Sequence, residues 1–222
     1  MRTLSFRPSW RLWLPVGVAV AAVLAAVLYM LAQPWMGLKL QAKDGQFYGS
    51  AGQLIAINGL ALQNQDAVED PGSIERNDDF AAFMRQQDRL HQALLNTTVD
   101  LSWQRPDGQI VHTTQAVQPE RPIASLPLDF WVQCLVGLGC MVVGSWVWAL
   151  RPRDAAASLF ALSGFCVLLF SLAAACYSSR NLALPQADFQ VLAELNRFGA
   201  TAYGFAGIAF FLRYPLALCP LR

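Results

Sequence analysis

His91 and His112 are the first residues to consider for catalysis or metal binding, because the sequence contains two histidines in all. A zinc site takes three or four nitrogen, sulfur or oxygen ligands at recognisable spacings. Neither histidine lies in an HExxH or CxxC context, and the sequence has no glycine-rich phosphate loop. We therefore interpret both as structural residues and predict no metal, no cofactor and no bound nucleotide.

Ser163 is a candidate nucleophile because it precedes a glycine inside a long apolar run, Ala161-Leu162-Ser163-Gly164. This run is similar to the serine motif of rhomboid proteases, although Ala161 stands where that motif has glycine. The apolar runs contain no histidine that could take the serine proton. We predict that Ser163 packs between helices, and that the sequence contains no catalytic residue.

The composition is that of a membrane protein, since 55% of the residues are hydrophobic and 14% are charged, whereas about 25% are charged in a soluble domain. The formal net charge of +1 without a basic face predicts no nucleic-acid partner. Asp129 and Asp154 fall at the ends of apolar runs, which disfavours transport. The cysteines are interpreted as small packing residues.

Four membrane-spanning helices are predicted, because an uncharged run of about 20 residues is long enough to cross a hydrocarbon core of about 30 Å. The first is expected to remain as an uncleaved anchor, and the second and third form a hairpin around Arg151-Pro152-Arg153-Asp154. The fourth begins with an outer extension that carries Glu194 and Arg197 at headgroup level. The predicted spans are residues 12–33, 128–150, 155–179 and 189–215.

Positively charged residues set the predicted orientation, because arginines and lysines collect on the cytoplasmic side of a membrane. Both termini, residues 1–11 and 216–222, are therefore expected to be cytoplasmic in a bacterial inner membrane. The arginines that support this orientation are Arg2, Arg7, Arg11, Arg151, Arg153, Arg213 and Arg222.

Residues 34–126 have the mixed composition of a small α+β domain, which lies on the extracytoplasmic side in this topology. An Asn58-Gly59 turn is expected after a strand, and Asn77 or Asp78 is a suitable helix N-cap. Alternating apolar residues around Pro106-Asp107-Gly108 predict a hairpin. The expected elements are a strand at 53–57, a helix from 80 to 95 and strands at 99–103 and 110–113.

The order of these elements resembles a PDZ domain of the bacterial kind. Residues 35–38 look like the carboxylate-binding loop, and residues 52–59 look like the family's Gly-Asp-x-Ile-x-x-Ile-Asn-Gly strand, with Gln53 in place of Asp. The resemblance implies that an extended peptide adds along a strand from Gly37 to Gln41, opposite the helix from Phe80. The implied groove residues are Trp35, Met36, Gly37, Leu38, Phe80, Phe83 and Met84.

The whole plan resembles the N-terminal sensory half of PDZ-bearing bacterial sensor histidine kinases. The features that carry this resemblance are the anchor, the outer domain, the hairpin through residues 150–156 and the ending Arg213-Tyr214-Pro215. It implies a signal-input module with a peptide or envelope ligand and a homodimer. Kinase activity is implied only if this chain is a piece of a longer protein.

Three alternatives remain open from the sequence. The residues of the implied groove could be the core of a domain that binds no ligand. The chain could also be a stand-alone membrane-anchored adaptor, whose PDZ-like domain recruits a partner without passing a signal, and a transporter subunit or enzyme accessory protein is a third possibility.

Overall fold

A computed structural model describes residues 10–74 and 76–214, and these residues form two compact units. The helical unit consists of residues 10–26, 131–175 and 195–214. The sheet unit consists of residues 27–130 and 176–194, with Glu75 outside the described residues. The predicted cytoplasmic tail 216–222, residues 1–9 of the predicted cytoplasmic segment 1–11, and residue 215 also lie outside the described residues.

Five helices occur in the described parts of the chain: α1 (Trp10–Leu31), α2 (Asn77–Leu94), α3 (Leu128–Leu150), α4 (Ala155–Ser178) and α5 (Gln186–Phe211). Among them, α1, α3 and α4 are long and apolar enough to cross a membrane by length and composition. This supports the predicted membrane class. The fourth predicted span, residues 189–215, overlaps α5, which ends at Phe211 and carries Asp188, Glu194 and Arg197 in its first half, and this span stays a prediction.

Close glycine contacts join the helices of the helical unit, as small residues do in membrane bundles. A Cβ placed on Gly164 of α4 would lie 2.5 Å from the carbonyl oxygen of Cys140 in α3. A Cβ on Gly199 of α5 would lie 3.0 Å from the backbone nitrogen of Phe170 in α4. At three further glycines of this unit an added Cβ would have no atom within 4 Å, and these are Gly139, Gly204 and Gly207.

The sheet unit contains six strands: β1 (Gln41–Lys43), β2 (Gln46–Gly49), β3 (Gly52–Ile57), β4 (Leu60–Ala61), β5 (Thr98–Gln104) and β6 (Ile110–Ala116). They form an antiparallel sheet in the order β1-β2-β3-β5-β6, with the short β4 paired to β3. The Asn58-Gly59 turn occurs at the end of β3 as predicted, and both residues have positive φ, 46° and 76°. The predicted hairpin is formed by β5 and β6.

Two local expectations for the sheet unit were wrong. The residue at the N-cap of α2 is Arg76, with no side-chain capping bond, because Phe80 N donates to the Arg76 carbonyl oxygen and helical bonding starts one residue early. The strand expected from Gly37 to Gln41 begins only at Gln41, since Gly37 has φ of 74° and bends the chain.

The core of the sheet unit lies between α2 and one face of the sheet. Alternate residues of β5 point to the helix, and residues of α2 spaced three or four apart meet them. In β3 the buried residues Leu54 and Ile57 are three positions apart, because the pairing with β5 shifts register between Leu54 and Ala56. The buried members of the core include Leu54, Ile57, Leu101, Trp103, Leu90 and Leu94. Leu182 and Ala183, which are distant in sequence, belong to the same core.

Candidate functional site

The candidate site is built around residues 179–185, which join α4 to α5 and which we call the α4–α5 connector. These residues belong to the sheet unit. Leu182 and Leu184 have no exposed surface, and Ala183 is 4% exposed. An apolar run buried this completely is a structural part of the unit and not a loose interhelical loop.

Arg180 fixes the connector to the chain between β4 and α2. Its guanidinium donates to the backbone oxygens of Asp66 (3.3 Å), Val68 and Glu69 (3.4 Å). It also donates to Tyr177 O at 2.7 Å and lies 5.1 Å from the centre of the Phe189 ring. Burial lowers the pKa of Arg180 to about 10, so the side chain keeps its charge at neutral pH.

Asn181 bonds to the segment that was predicted to bind a peptide. Its carboxamide, oriented by its hydrogen-bond partners, accepts from Met36 N and donates to Leu38 O, each at 3.2 Å. Met36 has no exposed surface and shares the core with Leu182. The connector therefore uses backbone groups that the resemblance assigns to an external ligand.

The other predicted groove residues lie in two places, beside the residues that bond to Asn181 and on α2. Trp35 is paired with Gln118 by a β-bridge, and Gly37 is exposed. Phe83 is 1% exposed and meets the Phe189 ring edge-on, with centroids 5.4 Å apart. Met84 is 2% exposed, whereas Phe80 is half-buried in the first turn of α2.

Further bonds connect helix ends inside the sheet unit. The hydroxyl of Tyr29, near the end of α1, donates to an Asp188 carboxylate oxygen at 2.9 Å in the first turn of α5. Arg121, shortly before α3, donates to Ser179 O at 2.5 Å, just after α4. Burial lowers the pKa of Arg121 to about 10. The unit thus ties together the ends of all four long helices.

Sequence reasoning missed Arg180, Asn181 and Arg121 as site residues. Each makes bonds to residues far away in the chain, and Arg180 reaches Asp66 across 114 positions. One available signal was the apolar run Leu182-Ala183-Leu184 inside a polar loop, since such runs in loops are usually buried.

Ser163 lines an apolar cavity of about 590 Å³ between α3, α4 and α5. Its hydroxyl donates to Leu159 O of its own helix at 3.0 Å, a common position for a serine in a membrane helix. Among the described residues, no group of three metal-ligating side chains comes together.

Scans of the chain against protein-family models, curated proteins and solved structures each returned no match. The resemblances to PDZ domains and to sensor kinases therefore depend on the residues quoted above, and both stay predictions.

His91 predicts a pH dependence of stability. It is buried near the end of α2, and burial lowers its pKa below the ordinary value of 6.5 despite the opposing charges of Asp88 and Asp188. At a pH between the two pKa values, His91 binds a proton in the unfolded chain but not in the folded chain. We expect the sheet unit to lose stability as pH falls below about 6.5, with the loss ending once the folded-state pKa is passed.

The measurement is the free energy of unfolding of the parent and His91→Gln across pH 7.5 to 5, because glutamine is a polar side chain of similar size that does not titrate. The difference between the two is the relevant quantity, since burial raises the pKa of Asp66 and adds an opposite slope at lower pH. His112→Gln, at an exposed position of β6, should behave as the parent. Parallel pH curves for the parent and His91→Gln would contradict the prediction.

Proposed function

We propose that the chain is the signal-input module of a bacterial membrane receptor, the sensory part of a two-component histidine kinase. In this proposal the sheet unit is a PDZ-like extracytoplasmic domain that binds a peptide or envelope ligand. The proposed topology has four membrane spans with both termini in the cytoplasm, and the membrane is the inner membrane of a bacterial cell. The ligand changes the domain, and the change reaches the cytoplasm through the helices.

The observation that carries this proposal is the set of bonds made by Arg180. Arg180 lies in the short connector between two helices. Its guanidinium donates to three backbone oxygens in the segment between β4 and α2, those of Asp66, Val68 and Glu69. A ligand-induced shift of that segment therefore acts directly on the residues between α4 and α5. Coupling of two sites requires a physical element that both sites bias, and in this proposal the connector is that element.

The PDZ-like part of the proposal is supported by the order of elements. The Asn58-Gly59 turn joins β3 to the short β4, α2 follows after one 3₁₀ turn, and the β5–β6 hairpin closes the sheet beside β3. Phe83 and Met84 lie on the buried side of that helix, as the resemblance implies for a groove wall.

The test is a fusion of the whole chain, after Arg222, to a complete histidine kinase core in membrane vesicles. Arg180→Lys keeps the charge but loses the planar fork that reaches several carbonyls at once. We expect the autophosphorylation rate of this fusion to differ from that of the parent at least about fivefold, since coupling energies of 1–3 kcal/mol are typical. Arg105→Lys, at an exposed turn, is the matched control and should match the parent.

An Arg180→Lys fusion with the parent's rate would contradict signal input. Such a result would favour the stand-alone adaptor, because recruitment of a partner requires no change in the connector.

A further inference from the structure

The connector lies between two walls of the sheet unit. One wall is the backbone of residues 36–38, which bonds to Asn181. The other is the face of α2 formed by Phe83, Gln87 and His91, which recur every fourth residue and therefore share one side of the helix. Phe83 contacts Phe189 just beyond the connector, with ring centroids 5.4 Å apart, and Leu90 of the same helix shares the core with Leu182 and Ala183.

The contact of Asn181 with residues 36–38 imitates a bound peptide. A side-chain carboxamide presents the same carbonyl and N–H as a peptide group. Here it satisfies one backbone donor, Met36 N, and one backbone acceptor, Leu38 O, and an added peptide chain uses groups of this kind. The buried side chains of Leu182 and Leu184 supply the apolar part of the contact.

The side chain of Gln87 indicates that the connector does not satisfy every hydrogen-bonding group along this face of α2. Its side chain has no exposed surface, yet neither Oε1 nor Nε2 has a hydrogen-bond partner. A buried amide without partners is costly, and such groups in native proteins call for an explanation. Because Gln87 lies between Phe83 and His91, the backbone of a longer extended chain along this face could satisfy it.

We propose that residues 181–184 are a tethered ligand, and that the natural ligand is an extended apolar peptide that displaces them. This inference rests on the proposed function and names the ligand class of that site. The connector enters and leaves the groove as continuous chain, so the ligand is an internal peptide segment and needs no free carboxylate. Its recognised features are an Asn or Gln side chain followed by small and branched apolar residues, as in Asn181-Leu182-Ala183-Leu184.

The probe is a fluorescent peptide with the sequence of residues 179–185, blocked at both ends, and the protein is the full chain in lipid nanodiscs. In the parent, the tethered copy competes at a high effective concentration and keeps peptide binding weak. Asn181→Ala removes two hydrogen bonds from the competitor, so the peptide should bind about tenfold more tightly. Asn96→Ala, which removes one amide bond to Ala93 O elsewhere in the sheet unit, is the matched control.

A second variant keeps the proposal testable if Asn181→Ala folds poorly. Gln87→Met replaces the unpaired amide by an apolar side chain of similar length, so the protein should become more stable while peptide affinity falls several-fold. Hydrogen exchange at the Met36 amide should rise about tenfold in Asn181→Ala and stay unchanged in Gln87→Met.

Equal peptide affinities for the parent and Asn181→Ala would overturn the tethered ligand, as would stronger peptide binding by Gln87→Met. These outcomes are separate from failure of the proposed function. Peptide binding with the expected variant effects, in a chain whose kinase fusion does not respond to Arg180→Lys, would refute signal input and leave the tethered ligand intact.

Discussion

Arg180→Met is expected to lower the free energy of unfolding of the sheet unit by about 3 kcal/mol, because each hydrogen bond from a charged donor contributes about 1.5–3 kcal/mol and release of a buried charge returns part of the total. The variant leaves the carbonyls of Asp66, Val68 and Glu69 without this donor. It also removes the cation–π contact with Phe189.

Hydrogen exchange of the β5 amides measures this change, because those amides exchange through opening of the whole sheet. A loss of about 3 kcal/mol corresponds to exchange that is roughly 100-fold faster. Arg180→Lys should fall between the parent and the methionine variant, since one ammonium cannot reach all of these acceptors. Arg105→Met, at an exposed turn, should exchange like the parent, and a less than twofold effect of Arg180→Met would refute the role given to Arg180.

Gly52→Ala is expected to be at least as damaging. Gly52 has φ of 129°, and a Cβ there would lie 2.5 Å from the backbone oxygen of Gln104 in the paired strand β5. Backbone strain and a clash with another main chain both oppose the substitution, and the expected loss is about 4 kcal/mol. The measurement is chemical unfolding followed by exchange in β3 and β5.

Gly59→Ala separates the two causes. Gly59 also has positive φ, 76°, but no atom lies within 4 Å of an added Cβ. This variant should therefore cost about 1 kcal/mol, from strain alone. If the two alanine variants have equal stability, the close approach of β3 and β5 at Gly52 is not as described.

Local patterns were enough to predict some of the elements, namely the apolar helices, α2, β3 and the β5–β6 hairpin, whereas β1, β2 and β4 were not predicted. The charge-free runs marked the apolar helices α1, α3 and α4, because their signal depends on length and composition alone. The Asn58-Gly59 pair marked a turn through its tolerance of positive φ. Patterns with a period of two or about four residues describe one element at a time, and those predictions agreed with the structure.

The contacts of the connector could not be predicted in this way. Arg180 bonds to carbonyls 111 to 114 residues away, and no local period records such a partner. Polar residues at N-cap positions were also misleading, since Asn77 and Asp78 lie inside α2 and Arg76 precedes it. Residue propensities indicate which residues suit an N-cap position, but the hydrogen bonds of the folded chain decide where the helix begins.

The glycine contacts between α3 and α4 restrict the movements open to this hairpin. Backbone lies against backbone at Gly164 and Cys140, and again at Gly144, where an added Cβ would lie 3.0 Å from Cα of Ala161. Sliding one helix along the other by a fraction of a turn would bring side chains into spaces that accept only hydrogen atoms. The two helices are therefore suited to tilt or rotate as one rigid pair, and any movement along the helix axis must be made by both helices together.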